Sequence, residues 1–196
     1  MNILDIIDNI KVKTIYGNLP ESVNNISQDS RKVGEGDVFV AIKGYTVDGH
    51  NYIEKVIEQG AALVIASRYG DYNVENCAVI VIKEHEIEKI ASMIAKKINE
   101  GSDVHTVAVT GTNGKTSIST LVHNMLRTLG ESSAYIGTNG FGKNDAEPVY
   151  FGNTTPDVVT LHNQIGELRR DNIKNLAFEA SSHAMVLGRI YNVDID

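Results

Sequence analysis

The residues best suited to chemistry lie in a glycine-rich segment that connects an apolar stretch to a predicted helix. The segment consists of Gly111, Thr112, Asn113, Gly114, Lys115, Thr116 and Ser117. Because glycine lacks a side chain, the backbone can turn tightly here and direct successive N–H groups at an anion. The helix dipole adds positive potential at the same point, and Lys115 adds a mobile cation. The segment, named here the phosphate loop, therefore predicts a nucleoside triphosphate site with Thr116 as a ligand of Mg²⁺.

The spacing of the phosphate loop departs from the usual pattern. In G-x-x-x-x-G-K-[ST] the first glycine would fall at the position of Val109. The sequence carries the shorter variant G-T-N-G-K-T instead. An ordinary glycine-rich turn between a strand and a helix would explain the two glycines. It would not explain Lys115 and Thr116 directly after them, at the start of a helix, so the spacing favours a nucleotide site.

Glu179 is the candidate second ligand of the metal ion. It lies near the end of a predicted strand, residues 175–180, in the sheet that also leads into the phosphate loop. Its carboxylate could therefore reach an ion held by Thr116, since Mg²⁺ favours a few oxygen ligands together with phosphate oxygens and water. The alternative is that Glu179 caps a loop or pairs with Arg189. His183 is more typical of a hydrogen-bonded structural residue, because no Cys or Asp spacing makes a nucleophilic triad of it.

The first half of the chain predicts alternating strands and helices. Its predicted strands are the apolar runs at residues 37–42, 62–66 and 78–82. Its predicted helices are an opening helix based on Ile3, Ile6, Ile7 and Ile10, a helix that ends at Gly60, and a helix at residues 84–99. The polar segment 100–103 is the best boundary. We therefore expect one domain at residues 1–102 and a second at residues 103–196.

The second half restarts as strand, phosphate loop and helix, which is how a parallel α/β sheet begins. Its helix is predicted from Leu121, Val122, Met125, Leu126 and Leu129. A strand at residues 133–137 precedes a predicted loop at 138–153, with a hairpin near its end. Thr155 is predicted to cap the next helix, with Pro156 at its first position. The overall prediction is an α/β fold whose ligand sites lie at the carboxyl ends of the strands.

Composition excludes several classes of function. With 25 acidic and 18 basic residues the net charge is −7, and no basic run or aromatic-basic pattern predicts nucleic-acid binding. No apolar run approaches membrane-spanning length, and the acidic N-terminus is not a signal peptide. The single cysteine, Cys77, excludes an internal disulfide and favours a reducing compartment. We expect a cytoplasmic monomer with no nucleic-acid partner and no membrane partner.

A series of short segments carries a resemblance to a known family. The segments, in chain order, are residues 29–31, 36–41, 44–52, 111–116, 153–156 and 179–183, followed by Arg189. Their sequences begin with Asp-Ser-Arg and end with Glu-Ala-Ser-Ser-His. Together they resemble the Mur ligases, and among these the enzymes that add the third residue of the peptidoglycan stem peptide. The resemblance extends over nearly the whole chain.

The resemblance implies an N-terminal domain for the UDP-linked substrate and a P-loop-type parallel α/β domain for ATP and Mg²⁺. It implies that the uridine end contacts Ser30, Tyr45, Thr46 and Val47. It implies that the pyrophosphate and the muramoyl peptide contact Asn153, Thr154, Thr155, Ser181 and Arg189. Lys115, Thr116 and Glu179 would serve ATP and the metal ion. Some members carry glutamine where this sequence has Leu187.

The reaction implied by the resemblance is ATP-dependent formation of an amide bond. ATP phosphorylates the free carboxylate of UDP-N-acetylmuramoyl-L-alanyl-D-glutamate. The amine of meso-diaminopimelate or L-lysine then attacks the acyl phosphate. Lys115 and the N–H groups of the phosphate loop would stabilise charge on the transferring phosphoryl group. Lys115 and Glu179 are therefore the implied catalytic residues.

Three alternatives to this interpretation stay open. In the family the central domain continues past the position of Asp196 with a histidine-containing magnesium site and a carbamylated lysine, and a third domain binds the amino acid. We therefore expect a partial second domain and a chain that is inactive alone, which leaves a non-catalytic UDP-sugar-binding role. The chain could also belong to another amide ligase, either the next ligase in the pathway or a polyglutamate-adding enzyme. A generic P-loop ATPase would leave residues 27–52 without a role.

Overall fold

The computed structural model describes residue 12, residues 14–44 and residues 47–196. The chain divides into two compact units, Met1–Ile98 and Asn99–Asp196. The sequence prediction places the boundary between residues 102 and 103. The predicted opening helix lies outside the described residues, and so do Tyr45 and Thr46.

The first unit is built on a five-stranded sheet with the order β1-β5-β4-β3-β2. Its strands are β1 (Thr14–Tyr16), β2 (Ile26–Ser27), β3 (Val38–Val40), β4 (Leu63–Ala66) and β5 (Ala78–Val81). Strands β2 to β5 are parallel, and β1 is antiparallel to β5. Every residue of β3, β4 and β5 is buried. A strand covered on both faces has a continuous apolar sequence, which is why these three strands are predictable.

The two outer strands of this sheet are not among the predicted elements. β2 has two residues, and β1 has three, of which Thr14 and Ile15 are exposed. The sequence around them predicts only turns and a polar loop. An edge strand this short shows neither an apolar run nor a clear alternation. Its position is fixed by pairing with a neighbouring strand, which the local sequence does not encode.

Two helices of the first unit confirm the helical spacing seen in the sequence. They are α1 (Ile53–Glu58) and α2 (Ile87–Ile98), and each follows a short 3₁₀ turn, Gly49–Tyr52 or Glu84–Glu86. α1 buries Ile53 and Val56 in the same core cluster as Phe39 of β3. α2 buries a stripe at intervals of three and four residues, formed by Ile87, Ile90, Ala91, Ile94 and Ala95.

The second unit contains a four-stranded sheet with the order β6-β9-β7-β8. Its strands are β6 (His105–Val109), β7 (Ser133–Gly137), β8 (Gly140–Lys143) and β9 (Asn175–Glu179). β6, β9 and β7 are parallel, with Val109 opposite Glu179, and β8 is antiparallel to β7. β8 corrects the predicted loop at 138–153. Gly140 and Gly142 alternate along this strand, and glycine weakens the sequence signal of a strand.

Three helices complete the second unit: α3 (Lys115–Thr128), α4 (Val158–Arg170) and α5 (Ser182–Val186). One core cluster contains Leu161 and Leu168 of α4 together with Ala134, Ile136 and Phe178 from the sheet. On the other face, α3 buries the polar residues Ser119 and His123. None of the helices in the described ranges is both long and apolar enough to cross a membrane.

Most of the apolar residues that predict α3 lie outside its buried face. Leu121, Met125 and Leu129 are exposed, Leu129 by 75% of its surface, whereas Val122 and Leu126 are half-buried. His123 instead carries the contact with the sheet, because its Nδ1 lies 3.0 Å from the Ser133 hydroxyl and its Nε2 lies 3.2 Å from the Asn144 carbonyl. The periodicity therefore predicts the helix correctly, but it does not identify the side that packs.

Candidate active site

The phosphate loop connects the end of β6 to the start of α3. Gly111 has φ +146° and Gly114, the N-cap of α3, has φ +83°, a backbone region that favours glycine. A glycine N-cap supplies no side-chain acceptor for the N–H groups of the first helical turn. These N–H groups are therefore available to an anion. Gly111, Thr112, Asn113, Gly114 and Ser117 are exposed.

Lys115 lies over the phosphate loop. Its ammonium group donates a hydrogen bond to the Gly111 carbonyl at 2.8 Å. The same side chain can exchange this acceptor for a phosphate oxygen, because a lysine ammonium has three donors on a flexible stem. Thr116, the next residue, is half-buried. The structure thus places a cation, a hydroxyl and uncapped N–H groups around one exposed loop.

Glu179 is the buried carboxylate of the site. It ends β9 and has no exposed surface. Its Oε1 accepts hydrogen bonds from the Tyr135 hydroxyl at 2.5 Å and from the Thr138 N–H at 2.9 Å. Its Oε2 accepts from the Thr138 hydroxyl at 3.2 Å. Burial and the hydrogen bond to Glu179 raise the pKa of Tyr135 to about 12, so this phenol remains a donor at neutral pH.

The donor set around Glu179 fits a divalent cation. Within the described ranges no Lys or Arg pairs with this carboxylate, whose three donors are all neutral. A buried carboxylate without a counter-charge is costly, and a bound cation would relieve that cost. The hydroxyl oxygen of Thr138 lies 3.2 Å from Glu179 Oε2 and 3.5 Å from the Thr116 hydroxyl oxygen. Oxygen donors of this kind suit Mg²⁺.

Arg189 is not the partner of Glu179, so that alternative is wrong. Its guanidinium donates instead to the Thr155 carbonyl at 2.8 Å. The other alternative, a carboxylate that bonds a loop, is partly correct, since Glu179 accepts the N–H of Thr138 after β7. Glu179 therefore both fixes this turn and keeps its second oxygen toward the Thr138 hydroxyl.

Thr155 and Ser181 tie the loop before α4 to the carboxyl end of β9. Thr155 is buried, and its hydroxyl donates to the Glu179 carbonyl at 2.6 Å. The Ser181 N–H donates to the Thr155 hydroxyl at 3.2 Å, and the Ser181 hydroxyl caps α5 by accepting the Ala184 N–H at 3.1 Å. Thr154 is half-buried beside them, whereas Asn153 is exposed.

The predicted cap of α4 is wrong by two residues. Asp157 is the N-cap, and its carboxylate accepts the Thr160 N–H at 2.9 Å. The Thr155 hydroxyl is directed at the end of β9 instead, where it donates to the Glu179 carbonyl and accepts the Ser181 N–H. His183 also differs from its prediction. It is exposed on α5, and its side chain makes no hydrogen bond within the part of the chain that the structure describes.

The remaining predicted substrate residues lie in the first unit. Ser30 is buried, and Val47 is 52% exposed. Ser30 stands between Asp29 and Arg31, whose side chains form two hydrogen bonds of 2.9 and 2.8 Å. The Arg31 guanidinium lowers the pKa of Asp29 to about 2. This ion pair closes the turn that holds Ser30.

A cluster in the first unit has the residue types of a catalytic triad, Asp48, His50 and Ser67, but its hydrogen bonds indicate a structural role. The His50 ring lies 2.7 Å from the Asp48 carboxylate through Nδ1 and 3.1 Å from the Ser67 hydroxyl through Nε2. However, Nε2 also accepts the Ser67 N–H at 3.1 Å. Its lone pair is thereby engaged and is a poor base for the hydroxyl. The cluster fixes the chain directly after Val47.

Two residues of the site, Tyr135 and Thr138, are absent from the sequence prediction. Tyr135 lies in a strand of apolar residues and is typical of core. Thr138 directly follows that strand, so a signal for it exists: residues after parallel strands gather at one edge of the sheet. The signal becomes specific only when β7 is known to be the neighbour of β9.

Comparison with known proteins places this geometry in a family. A model described as "Mur ligase family, catalytic domain" matches residues 22–108, and one described as "Mur ligase middle domain" matches residues 109–196. The chain belongs to the Mur ligase family. The predicted fold class, two successive α/β parts with parallel sheets and a P-loop in the second, is confirmed.

Individual Mur ligases resemble the chain along its whole length. The UDP-N-acetylmuramoyl-L-alanyl-D-glutamate--L-lysine ligase of Staphylococcus haemolyticus is 39% identical over 198 residues, which cover 100% of this chain and 39% of the relative. UDP-N-acetylmuramyl-tripeptide synthetase 2 of Oceanobacillus iheyensis is 34% identical over 99% of this chain and 39% of its own length. The chain thus spans about two fifths of the length of these curated relatives.

A solved structure shows the same architecture. It is described as a UDP-N-acetylmuramoyl-L-alanyl-D-glutamate--2,6-diaminopimelate ligase, and it superposes with a TM-score of 0.78 at 25% identity. The match covers 100% of this chain and 39% of that one. The relative named for lysine and the structure named for diaminopimelate thus both match 100% of this chain.

Proposed function

We propose that this chain forms the UDP-substrate-binding and ATP-binding parts of an ATP-dependent amide ligase. The ligase would join an amino acid, L-lysine or meso-diaminopimelate, to UDP-N-acetylmuramoyl-L-alanyl-D-glutamate in peptidoglycan synthesis. The names of the related ligases support this substrate. The observation that carries the proposal is the hydrogen-bonded connection of Thr116, Glu179 and Thr154 through a single residue, Thr138. It joins the phosphate loop to the predicted substrate loop.

The phosphate loop would bind and orient the triphosphate of ATP. The N–H groups at the start of α3 would face the phosphate oxygens, and Lys115 would move from the Gly111 carbonyl to the terminal phosphates. Fixed positive charge at this point favours transfer of the phosphoryl group to a carboxylate, since it offsets repulsion between two anions. The enzyme needs no side-chain nucleophile for this reaction.

Glu179 and Thr116 would hold Mg²⁺ together with phosphate oxygens. When bound, the ion would supply positive charge that offsets the negative charge of those oxygens. Tyr135 and the Thr138 N–H hold Glu179 Oε1, so Oε2 would be the oxygen that binds the ion. Two hydrogen bonds on Oε1 thereby orient the carboxylate.

Thr154, Thr155, Ser181 and Arg189 would form the substrate side of the second unit, with exposed Asn153 at its margin. Arg189 is fixed by its bond to the Thr155 carbonyl, and its remaining guanidinium N–H groups are suited to phosphate oxygens. In the first unit Ser30 and the segment 45–47 would contact the uridine end. Single, buried Cys77 and the net charge of −7 support a reducing, cytoplasmic setting without nucleic acid. We expect the chain to be monomeric.

Calorimetric titration tests the substrate assignment. The purified chain should bind UDP-N-acetylmuramoyl-L-alanyl-D-glutamate more tightly than UDP-N-acetylglucosamine, because only the former carries the muramoyl peptide. Arg189→Gln should weaken the binding of both ligands, since both carry the diphosphate, whereas Arg170→Gln, on α4, is the matched control for loss of one positive charge. Absence of heat with both ligands, on a chain shown by circular dichroism to be folded, would contradict the proposed substrate.

A further inference from the structure

The hydroxyl of Thr138 has three oxygen neighbours on three different segments. It lies 3.2 Å from Glu179 Oε2 at the end of β9 and 3.2 Å from the Thr154 hydroxyl before α4. It lies 3.5 Å from the Thr116 hydroxyl at the start of α3. Thr138 itself is exposed. It therefore stands where the predicted metal ligands meet a predicted substrate residue.

Counting protons fixes the direction of these hydrogen bonds. A threonine hydroxyl has one proton to donate and two lone pairs that can accept. Thr138 donates its proton to Glu179 Oε2. Its oxygen must then accept from Thr116 and from Thr154. In this arrangement the single proton of Thr154 is directed at Thr138 and is not available to a ligand.

We propose that Thr138 is a positioning residue that couples cation binding to substrate binding. A divalent cation on Glu179 Oε2 would withdraw electron density from this oxygen and repel the Thr138 proton that now points at it. Thr138 would then donate to Thr154, and Thr154 would turn its own proton to an oxygen of an anionic substrate, such as a diphosphate. Each hydroxyl keeps its own proton, and only the direction of the hydrogen bonds reverses.

The inference rests on the proposed function, and it adds that cation binding regulates substrate binding at the same site. A bond that served only to fix the turn after β7 would not need the Thr138 hydroxyl, because the Thr138 N–H already holds Glu179 Oε1 at 2.9 Å. Coupling between two ligands is reciprocal, so each ligand would increase the affinity of the other by the same factor. A factor of about five or more is the size typical of such coupling.

The test is a linkage measurement on the 196-residue chain. Calorimetry would give the affinity for UDP-N-acetylmuramoyl-L-alanyl-D-glutamate with and without Mg²⁺ and a non-hydrolysable ATP analogue. The wild type and Thr138→Ser, which keeps the hydroxyl, should show an increase of about fivefold or more. Thr138→Val, which has nearly the same shape, should bind the UDP ligand equally well with and without Mg²⁺ and the analogue, so that the ratio of the two affinities is close to one. Retention of the wild-type ratio by Thr138→Val would overturn the inference.

A second measurement does not need the UDP substrate. In a chain labelled with ¹³C at threonine methyl groups, the Thr154 signal is identified by its loss in Thr154→Ser. Mg²⁺ with the ATP analogue should shift this signal in the wild type and in Thr138→Ser, but not in Thr138→Val. An equal shift in Thr138→Val would reject the coupling. If Thr138→Val does not fold, Thr154→Val replaces it in calorimetry and should likewise give a ratio close to one.

Failure of the inference and failure of the proposed function give different results. If the wild type binds both ligands independently, with a ratio of one, the coupling is wrong and the proposed sites remain. If the wild type binds no Mg²⁺–nucleotide, the proposed function is wrong and the coupling falls with it. Both results are obtained from the same set of titrations.

Discussion

Tyr135 shows how one buried residue holds the acidic part of the site. Its hydroxyl donates to Glu179 Oε1 at 2.5 Å, and both side chains are buried. Burial and this bond raise the pKa of Tyr135 to about 12, so the donor persists over the whole neutral range. The carboxylate proposed to bind Mg²⁺ is therefore held at its Oε1 by Tyr135.

Tyr135→Phe should destabilise the second unit. Removal of the hydroxyl leaves Glu179 Oε1 with one donor, and loss of a hydrogen bond to a carboxylate costs about 1.5–3 kcal/mol. Urea unfolding at pH 7 measures the free energy of unfolding. The control is Tyr150→Phe, because Tyr150 is 70% exposed and surface changes stay within about 0.5 kcal/mol. Equal stability of the two variants would show that the bond to Glu179 contributes nothing.

His123 should make folding sensitive to acid. Burial lowers its pKa, with a smaller contribution in the same direction from Arg127, while Asn144 and Asp145 oppose the shift. Above the unfolded-state pKa of about 6.5 the ring is neutral in both states and its contribution is complete. As the pH falls through the lower folded pKa, the unfolded chain takes up the proton first and that contribution is lost. His123→Gln should remove this component.

Urea titrations between about pH 5 and pH 8 test the role of His123. The free energy of unfolding of the wild type should decrease toward the acid end more steeply than that of His123→Gln. His85→Gln is the matched control, since His85 is exposed in the 3₁₀ turn before α2 of the first unit. If the wild type and His123→Gln have parallel pH profiles, His123 is not the source of the acid sensitivity.

At the scale of whole elements, α3 and α4 use their apolar residues in opposite ways. Leu161 of α4 is fully buried against the sheet, whereas Leu129, directly after α3, is 75% exposed. Both residues belong to apolar patterns of helical spacing. Only the position of each helix on the sheet determines which pattern contributes to the core.

A pair of leucine variants tests this difference. Leu161→Ala should lower the free energy of unfolding by about 2–5 kcal/mol, since it opens a cavity in the core. Leu129→Gln should change it by less than about 0.5 kcal/mol, because most of that side chain is already in water. Both are measured by urea unfolding. A large effect of Leu129→Gln would mean that the exposed stripe on α3 is covered in solution.

The central strands of the first sheet were predictable because burial on both faces leaves a continuous apolar run, as in β4. The cap of α4 was not, although Thr155-Pro156 fits the usual pattern. The Thr155 hydroxyl is directed at β9, where it donates to the Glu179 carbonyl and accepts the Ser181 N–H, contacts 24 and 26 residues away in sequence that no local pattern encodes. Asp157 then caps the helix in its place.

The site shows the same limit. The phosphate loop is local, so its residue types and spacing are enough to predict it. The contact of Glu179 with Thr138 depends on the sheet order β6-β9-β7-β8, in which β9 lies between β6 and β7. The sequence order suggests no such insertion. Tyr135 and Thr138 could therefore be found only after the strands were placed.

For the molecule as a whole, the sequence indicated two α/β units, and the structure has two compact units. The chain corresponds to about two fifths of the length of its curated relatives.

The reactivity of Cys77 reports whether the first unit is folded, because the thiol is buried and burial raises its pKa to about 11. A thiol of this kind reacts slowly while the unit is folded. Its reactivity can therefore serve as a folding control for changes made in the second unit.

The most direct test of the account is nucleotide binding by Lys115→Ala. Calorimetry with Mg²⁺ and a non-hydrolysable ATP analogue should show binding by the wild type and by the charge-matched control Lys174→Ala. Lys115→Ala should bind about tenfold to a hundredfold more weakly, since a charge-assisted contact contributes about 1.5–3 kcal/mol, while Cys77 stays unreactive. Equal affinity of Lys115→Ala and wild type would contradict the assignment of residues 111–117 as the nucleotide site.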